Sequence, residues 1–251
     1  MKNYYTKGFA SKNTNITIAG NVGEDDAMDV FKGFESKWKA SEVNVTIPNS
    51  FNEMKSTKCY FVDFPGAKQS EIRIGSPGLA FVDPDFFKVT VMNYKLGGSF
   101  NGIVNLILRE EKGYTYGART GFTGSEYTGY FFASSGVQST ATLESAEIFR
   151  DEIKKYRNGI SPEDLKFTKD ALIKSNALRF ETIGALRGML VQIARYNLPY
   201  DYIKDQEKQI SDMTIDEHKM LAQKYIHPDK MIYLIVGDKA TQLDKLKELG
   251  F

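Results

Sequence analysis

LGGSFNGIVNLILREEKGYTYGA, residues 96–118, is the stretch whose reading decides the fold. The glycines Gly97 and Gly98 permit a tight turn with exposed backbone. An amphipathic run follows, with Arg109 near its end and Gly113 as a suitable left-handed helix cap. Residues 114–123 then read as a strand, and Tyr116 stands on it seven positions after Arg109. A hinge, a helix, a cation and a strand-borne phenol share one segment, with no group able to do covalent or metal chemistry beside them. Ser99 has no His or Asp company and reads as a turn or cap residue. A phosphate loop does not fit, because no G-K-[ST] follows the glycines and no strand precedes them.

On either side the hydrophobic spacing alternates between strand and helix periods. KCYFVDF (58–64) and SEIRIGSPG (70–78) read as strands joined through Pro65-Gly66. Asp83, with Pro84 in the first turn, predicts a helix running to Gly97-Gly98, and a second helix is expected over about 100–111. Strands at 114–123 and 127–134 are joined through Gly124-Ser125, a hairpin signal. A long helix is expected over 140–156, and Ser161-Pro162-Glu163-Asp164 starts another. Helices fill most of 162–225, interrupted at Pro199, before a last strand, MIYLIVG (231–237), and a short closing helix. Paired strands separated by long helices predict an α+β fold, a mostly antiparallel sheet packed against helices.

The 251 residues provide for one large domain or two small ones. No apolar run approaches the roughly 20 residues of a membrane span, and the composition, 41% hydrophobic and 26% charged, is that of a soluble globular chain. The 33 basic and 32 acidic residues nearly cancel, with no Lys/Arg block, which argues against a nucleic-acid partner. A single cysteine, Cys59, leaves no internal disulfide. MKNYYTKGFASKN lacks the apolar core of a signal peptide, so the reading is either a cytoplasmic protein or a chain whose natural start lies upstream.

An internal parallel favours the upstream start. YYTKGFASKNTNITIAGNVG near the beginning matches AQKYIHPDKMIYLIVGDKA near the end: aromatic residue, polar turn, apolar strand, then Gly20 or Gly237. A helix-like segment follows each. Two homologous domains are thereby expected. Residues 1–40 would be the closing strand (16–20) and helix (24–38, with the stripe Met28, Phe31, Phe34, Trp38) of a preceding one. Residues 41–56, with Pro48 and few apolar anchors, read as a linker, and 57–251 as the second domain.

The 96–118 phrase closely resembles the C-terminal-half domain of the pitrilysin, insulysin and mitochondrial-processing-peptidase family of zinc metallopeptidases. The Ser161-Pro162-Glu163 helix start, the KYIHPDKMIYLIVGD ending and the ITIAGNVGEDDAMDVFKGFESKW opening look like landmarks of the same family. The resemblance covers essentially the whole chain. It implies a LuxS/processing-peptidase-like metallohydrolase fold. Such enzymes bind zinc through H-x-x-E-H plus a distant glutamate in their first half; with two histidines and no such motif, this chain resembles the inactive, non-zinc half. No metal ligand is expected here, and the zinc is expected on a partner catalytic domain or subunit.

By that resemblance Tyr116 and Arg109 are the catalytic candidates, assisting a zinc site on another domain. The Tyr116 hydroxyl would hydrogen-bond the scissile carbonyl, and Arg109 would hold substrate carbonyls or orient the tyrosine. Gly97 and Gly98 are candidate substrate-binding residues beside a path for substrate. Tyr114, placed on the same strand face as Tyr116 by the period of two, is a third. Taken alone, Arg109 would equally complement a helix dipole, and Tyr116 would equally be a packing residue. Thr214-Ile215-Asp216-Glu217-His218 lies one residue from a zinc motif, but Thr supplies no imidazole and the run reads as a capping box. His227 reads as a surface turn residue.

The family implies a peptide-binding, non-catalytic half of a zinc-dependent endopeptidase. The alternatives are a free-standing subunit of a heterodimeric processing-peptidase-like enzyme, and a scaffold of the same fold. Family pseudo-symmetry further predicts that helix 24–38 docks on the sheet. The closing helix 240–250 would then lose its acceptor, leaving Leu243, Leu246 and Leu249 exposed or buried in a homodimer.

Overall fold

A computed structural model describes residue 5, residues 9–38 and residues 54–250. Most of the expected linker, 41–53, lies outside the described residues. Two compact units are present, one of residues 1–50 with 173–204 and a larger one of 51–172 with 205–251. Residues 24–38 belong to the smaller unit and the sheet to the larger. In chain order the helices are α1 (Glu24–Val30), α2 (Phe34–Lys37), α3 (Phe86–Asn93), α4 (Ile103–Asn105), α5 (Thr142–Tyr156), α6 (Pro162–Leu178), α7 (Ile183–Tyr196), α8 (Tyr202–Asp212), α9 (Ile215–Tyr225) and α10 (Lys239–Leu246). The strands are β1 (Lys58–Asp63), β2 (Gln69–Gly78), β3 (Thr115–Gly124), β4 (Gly129–Gln138) and β5 (Ile232–Gly237).

The five strands form one sheet in the order β1-β5-β2-β4-β3. β1 and β5 run parallel, and the other three pairings are antiparallel, so the mostly antiparallel expectation holds. Alternation along each strand separates two faces. Ile72 and Ile74 of β2, Phe131 and Ala133 of β4, and Tyr233 and Ile235 of β5 are buried with Phe149 and Ile153 of α5 in a single core. Each Ile or Phe among them contributes about 1.5–3 kcal/mol when fully buried. The opposite face leaves Tyr60, Val62, Tyr130, Ile232 and Leu234 exposed. β3 is an edge strand.

Several boundaries move, each for a local reason. The helix expected from Asp83 starts at Phe86, because the Asp83 carboxylate accepts from the Asp85 amide at 2.8 Å and closes a turn first. The helix expected from residue 100 starts at Ile103, after a turn closed by the Gly102 amide on the Ser99 carbonyl. β4 begins at Gly129, beyond a turn in which the Ser125 amide meets the Thr128 carbonyl, and continues to Gln138 opposite Gln69. The closing helix departs most from expectation. Leu246 and Leu249 are buried in the core of their own unit, not exposed and not awaiting a partner.

In the smaller unit the expected strand 16–20 is irregular, since it has no neighbouring strand to pair with among the described residues. The single helix expected over 24–38 is two short ones, parted at Gly33, which takes a left-handed φ of 80°. Phe31, Phe34 and Trp38 stack edge to face across that break, while Met28 points to solvent. Thr182 caps α7 by accepting from the Ala185 amide. Leu186, Leu190 and Ile193 of α7 face Ile18, Val22 and Ala27 across an apolar cavity of about 590 Å³.

Candidate functional site

The glycine turn is built from the core outward. α3 passes into a π turn over Tyr94–Gly98, a form of widened helical turn that has an identifiable cause when side chains capture its carbonyls. The Met92 carbonyl, just before the turn, accepts the Tyr156 hydroxyl at 2.6 Å and lies 3.1 Å from His218 Nε2. Burial pushes the phenol's pKa up. Tyr156 of α5 and His218 of α9 are both buried. They fix the turn from its core side.

Gly97 has no room for a side chain. A Cβ there would sit 2.6 Å from the Thr120 amide and 2.8 Å from Val104 Cγ2. Two buried asparagines tie the turn to β3. Asn93 donates to the Thr120 carbonyl at 3.0 Å and accepts from the Thr120 hydroxyl at 2.7 Å. Asn105 donates to the Phe100 carbonyl at 2.7 Å and accepts from the Ala118 amide at 3.0 Å. Buried polar groups held this way set a position more firmly than apolar packing alone. Sequence reasoning missed Asn93, Asn105 and Tyr156, and it weighed His218 only as a metal ligand; the one available signal was an Asn at an otherwise apolar helix position.

Tyr116 is 91% exposed. The β3–β4 register shifts between Thr115 and Ala118, with Thr115 opposite Val137 and Ala118 opposite Ser135. That bulge re-aims Tyr116, as bulges beside functional sites do. The expected shared face of Tyr114 and Tyr116 is therefore lost, because the bulge interrupts the period of two. Tyr114 packs against the core, and its hydroxyl donates to Glu144 of α5 at 2.6 Å. Lys112 reaches the same carboxylate at 2.7 Å. The Lys112 and Tyr114 bonds hold the Glu144 carboxyl below its usual range. Tyr114 is thereby engaged in holding the strand start to α5.

Arg109 lies on the π turn Leu106–Glu111 that extends α4. Its guanidinium sits 4.5 Å from the Phe100 ring centroid and 3.0 Å from the Glu110 carboxylate. Gly97, Gly98, Phe100 and Tyr116 line one open groove of about 470 Å³ with Arg73, Arg119 and Ser134. Arg109 joins that group through Phe100. The groove offers a phenol donor, fixed backbone and guanidinium groups, a set able to hold the carbonyls of an extended chain and to stabilise charge on one of them.

The sequence's near-match to a zinc motif does not form a site. The Thr214 hydroxyl accepts from the Glu217 amide at 3.1 Å, so the cap is real. Glu217 does not reach back to complete the box; its carboxylate pairs with Lys88 at 2.6 Å. Burial, only partly offset by the Met92 carbonyl, pulls the His218 imidazole down to about 4, and His227 is exposed. Among the described residues no group of three or more His, Cys, Asp or Glu is placed to hold a metal ion. No helix among them is long and apolar enough to cross a membrane.

Comparison with known proteins places this geometry in a family. Residues 1–172 match the model of the peptidase M16 inactive domain. The uncharacterized zinc protease YmxG of Bacillus subtilis is 24% identical over 74% of this chain and 43% of its own length. The non-peptidase homolog YmxG of Helicobacter pylori is 23% identical over 95% of the chain and 55% of its own length. The chain spans about half the length of such curated relatives. The crystal structure of a peptidase M16 inactive domain from Pseudomonas fluorescens has the same fold, with a TM-score of 0.75 and 24% identity over 87% of this chain and 52% of that one. A glycine turn stapled to an edge strand and a re-aimed tyrosine thus accompany a family match over more than half of the sequence, and the chain belongs to the peptidase M16 inactive-domain family.

Proposed function

We propose that this chain is the peptide-binding, non-catalytic half of a zinc-dependent endopeptidase, with the zinc carried by a separate catalytic domain or subunit. In this reading residues 1–40 close a preceding homologous domain, 41–56 are the linker and 57–251 are the inactive domain. The observation that carries it is Tyr116, fully presented by a bulge on an edge strand at a groove walled by the rigid glycine turn. Zinc held by that separate domain would supply the Lewis-acid and nucleophile chemistry. What these residues add is placement and charge. Peptide hydrolysis puts negative charge on the scissile carbonyl oxygen, and Tyr116 donates to it. Removing one such donor costs roughly 2.7–4 kcal/mol in other enzymes. Arg109, steadied on Phe100, holds neighbouring substrate carbonyls. Gly97 and Gly98 let the substrate backbone approach closely.

A second reading, a scaffold of the same fold outside any peptidase, is favoured by the Helicobacter pylori relative, which is called a non-peptidase homolog. Kinetics separates the two. In the full-length protein with its zinc-bearing partner, Tyr116→Phe lowers kcat more than it raises KM, and Tyr114→Phe does less. Equal and small effects from both substitutions would make Tyr116 a surface residue and leave the second reading.

A further inference from the structure

The open face of the sheet carries a row of three polar side chains that the reading above does not use. Arg73 of β2 and Arg119 of β3 are both registered on Ser134 of the intervening strand, β4. Strand spacing puts the two arginine Cα atoms about 10 Å apart. Arg119 Nε lies 3.4 Å from the Ser134 hydroxyl, and its guanidinium lies 5.9 Å from the Phe132 ring centroid. Arg73 is paired with Glu71 at 2.7 Å. Among the described residues Arg119 has no carboxylate partner.

These arginines are also where two concavities meet. Both line the polar groove of Tyr116, and both line an apolar trough of about 760 Å³ whose walls include Tyr130, Phe132, Ile232 and Leu234. Glu71 is the acidic residue lining the groove, and among the described residues none lines the trough. A guanidinium on an apolar floor, already oriented by a hydroxyl and a ring, presents its fork to a planar anion. We propose that Arg119, backed by Arg73 and Ser134, is a carboxylate subsite for an extended peptide. The peptide's carboxylate sits on the row, and a large apolar side chain two positions away, on the same face, enters the trough. The inference rests on the peptide-binding reading and names its substrate class: segments with an acidic group next but one to a bulky apolar residue.

The test is fluorescence anisotropy with the chain and three labelled peptides of one apolar sequence. One carries a central Glu and an amidated end, one a central Gln and an amidated end, and one a central Gln and a free C-terminal carboxylate. The expected result is binding about tenfold tighter for at least one carboxylate peptide than for the amidated Gln peptide, as a charge-assisted fork provides. The first and third arms show whether a side chain or a chain end supplies the carboxylate. Arg119→Gln removes that advantage, so that on this variant the carboxylate peptides bind no tighter than the amidated Gln peptide. Arg119→Lys, which keeps the charge without the fork, retains part of it, and Arg73→Gln, acting on an already paired residue, costs less. Equal binding of all three peptides, or an advantage that survives Arg119→Gln, overturns the subsite and leaves peptide binding standing. Binding of no peptide at all overturns both.

Discussion

Removing one buried oxygen, by Tyr156→Phe, tests how the glycine turn is held. The ring stays in place against the core, so no cavity larger than the hydroxyl is made. What is lost is the 2.6 Å bond to the Met92 carbonyl and the 3.1 Å contact with His218 Nε2. The Met92 carbonyl retains His218 Nε2 at 3.1 Å, in a site where Tyr156 is 3% exposed. Losing one such bond while the carbonyl keeps another partner costs about 0.5–1.5 kcal/mol. A loss near the middle of that range lowers Tm by roughly 2–4 °C for a unit of this size. The turn should also loosen locally, so amide exchange over 94–98 should accelerate more than exchange in β2 or β5. Thermal unfolding and hydrogen exchange read the two effects separately. A Tm within about 1 °C of the unaltered chain, with unchanged exchange over 94–98, would refute the idea that the hydroxyl fixes the turn.

Three further outcomes follow from the same packing. His218 titrates at about 4 in the folded chain against 6.5 as its ordinary value. The unfolded state therefore binds more protons between those values, and stability that is complete above pH 6.5 falls by about 3 kcal/mol as pH drops toward 4; His218→Asn should flatten that slope in pH-dependent denaturant unfolding. Gly97→Ala should destabilise by roughly 1–3 kcal/mol through overlap with Thr120 and Val104, while Gly98→Ala, whose Cβ would meet Asn93 Nδ2 at 3.2 Å, should cost less in the same denaturant midpoint assay. Thr214→Ala should cost about 1 kcal/mol by removing the α9 cap, and it should leave the zinc content of the purified chain unchanged.

The sequence by itself determined the parts that depend on local chemistry. Apolar runs bounded by turn residues located the five strands of the sheet, and also one at 16–20 that does not form. Gly113, ending the helical run before β3, and Thr214, capping α9, were legible because a cap acts through bonds a few residues long. The segment 96–118 was legible as turn, helix and strand for the same reason. Tertiary structure decided what that segment does. The bulge that turns Tyr116 to solvent and Tyr114 toward Glu144 depends on β3 having β4 as its neighbour, a relation that a period of two within one strand does not contain. The burial of Leu246 and Leu249 depends on α10 returning to its own core. Tyr156 and His218 reach Met92 from helices 64 and 126 positions away along the chain. Arg73, Ser134 and Arg119 share a row only because three strands pair in one register. Long-range pairing brings distant residues into contact, and no property of any one of them, read in sequence, records which partner it meets.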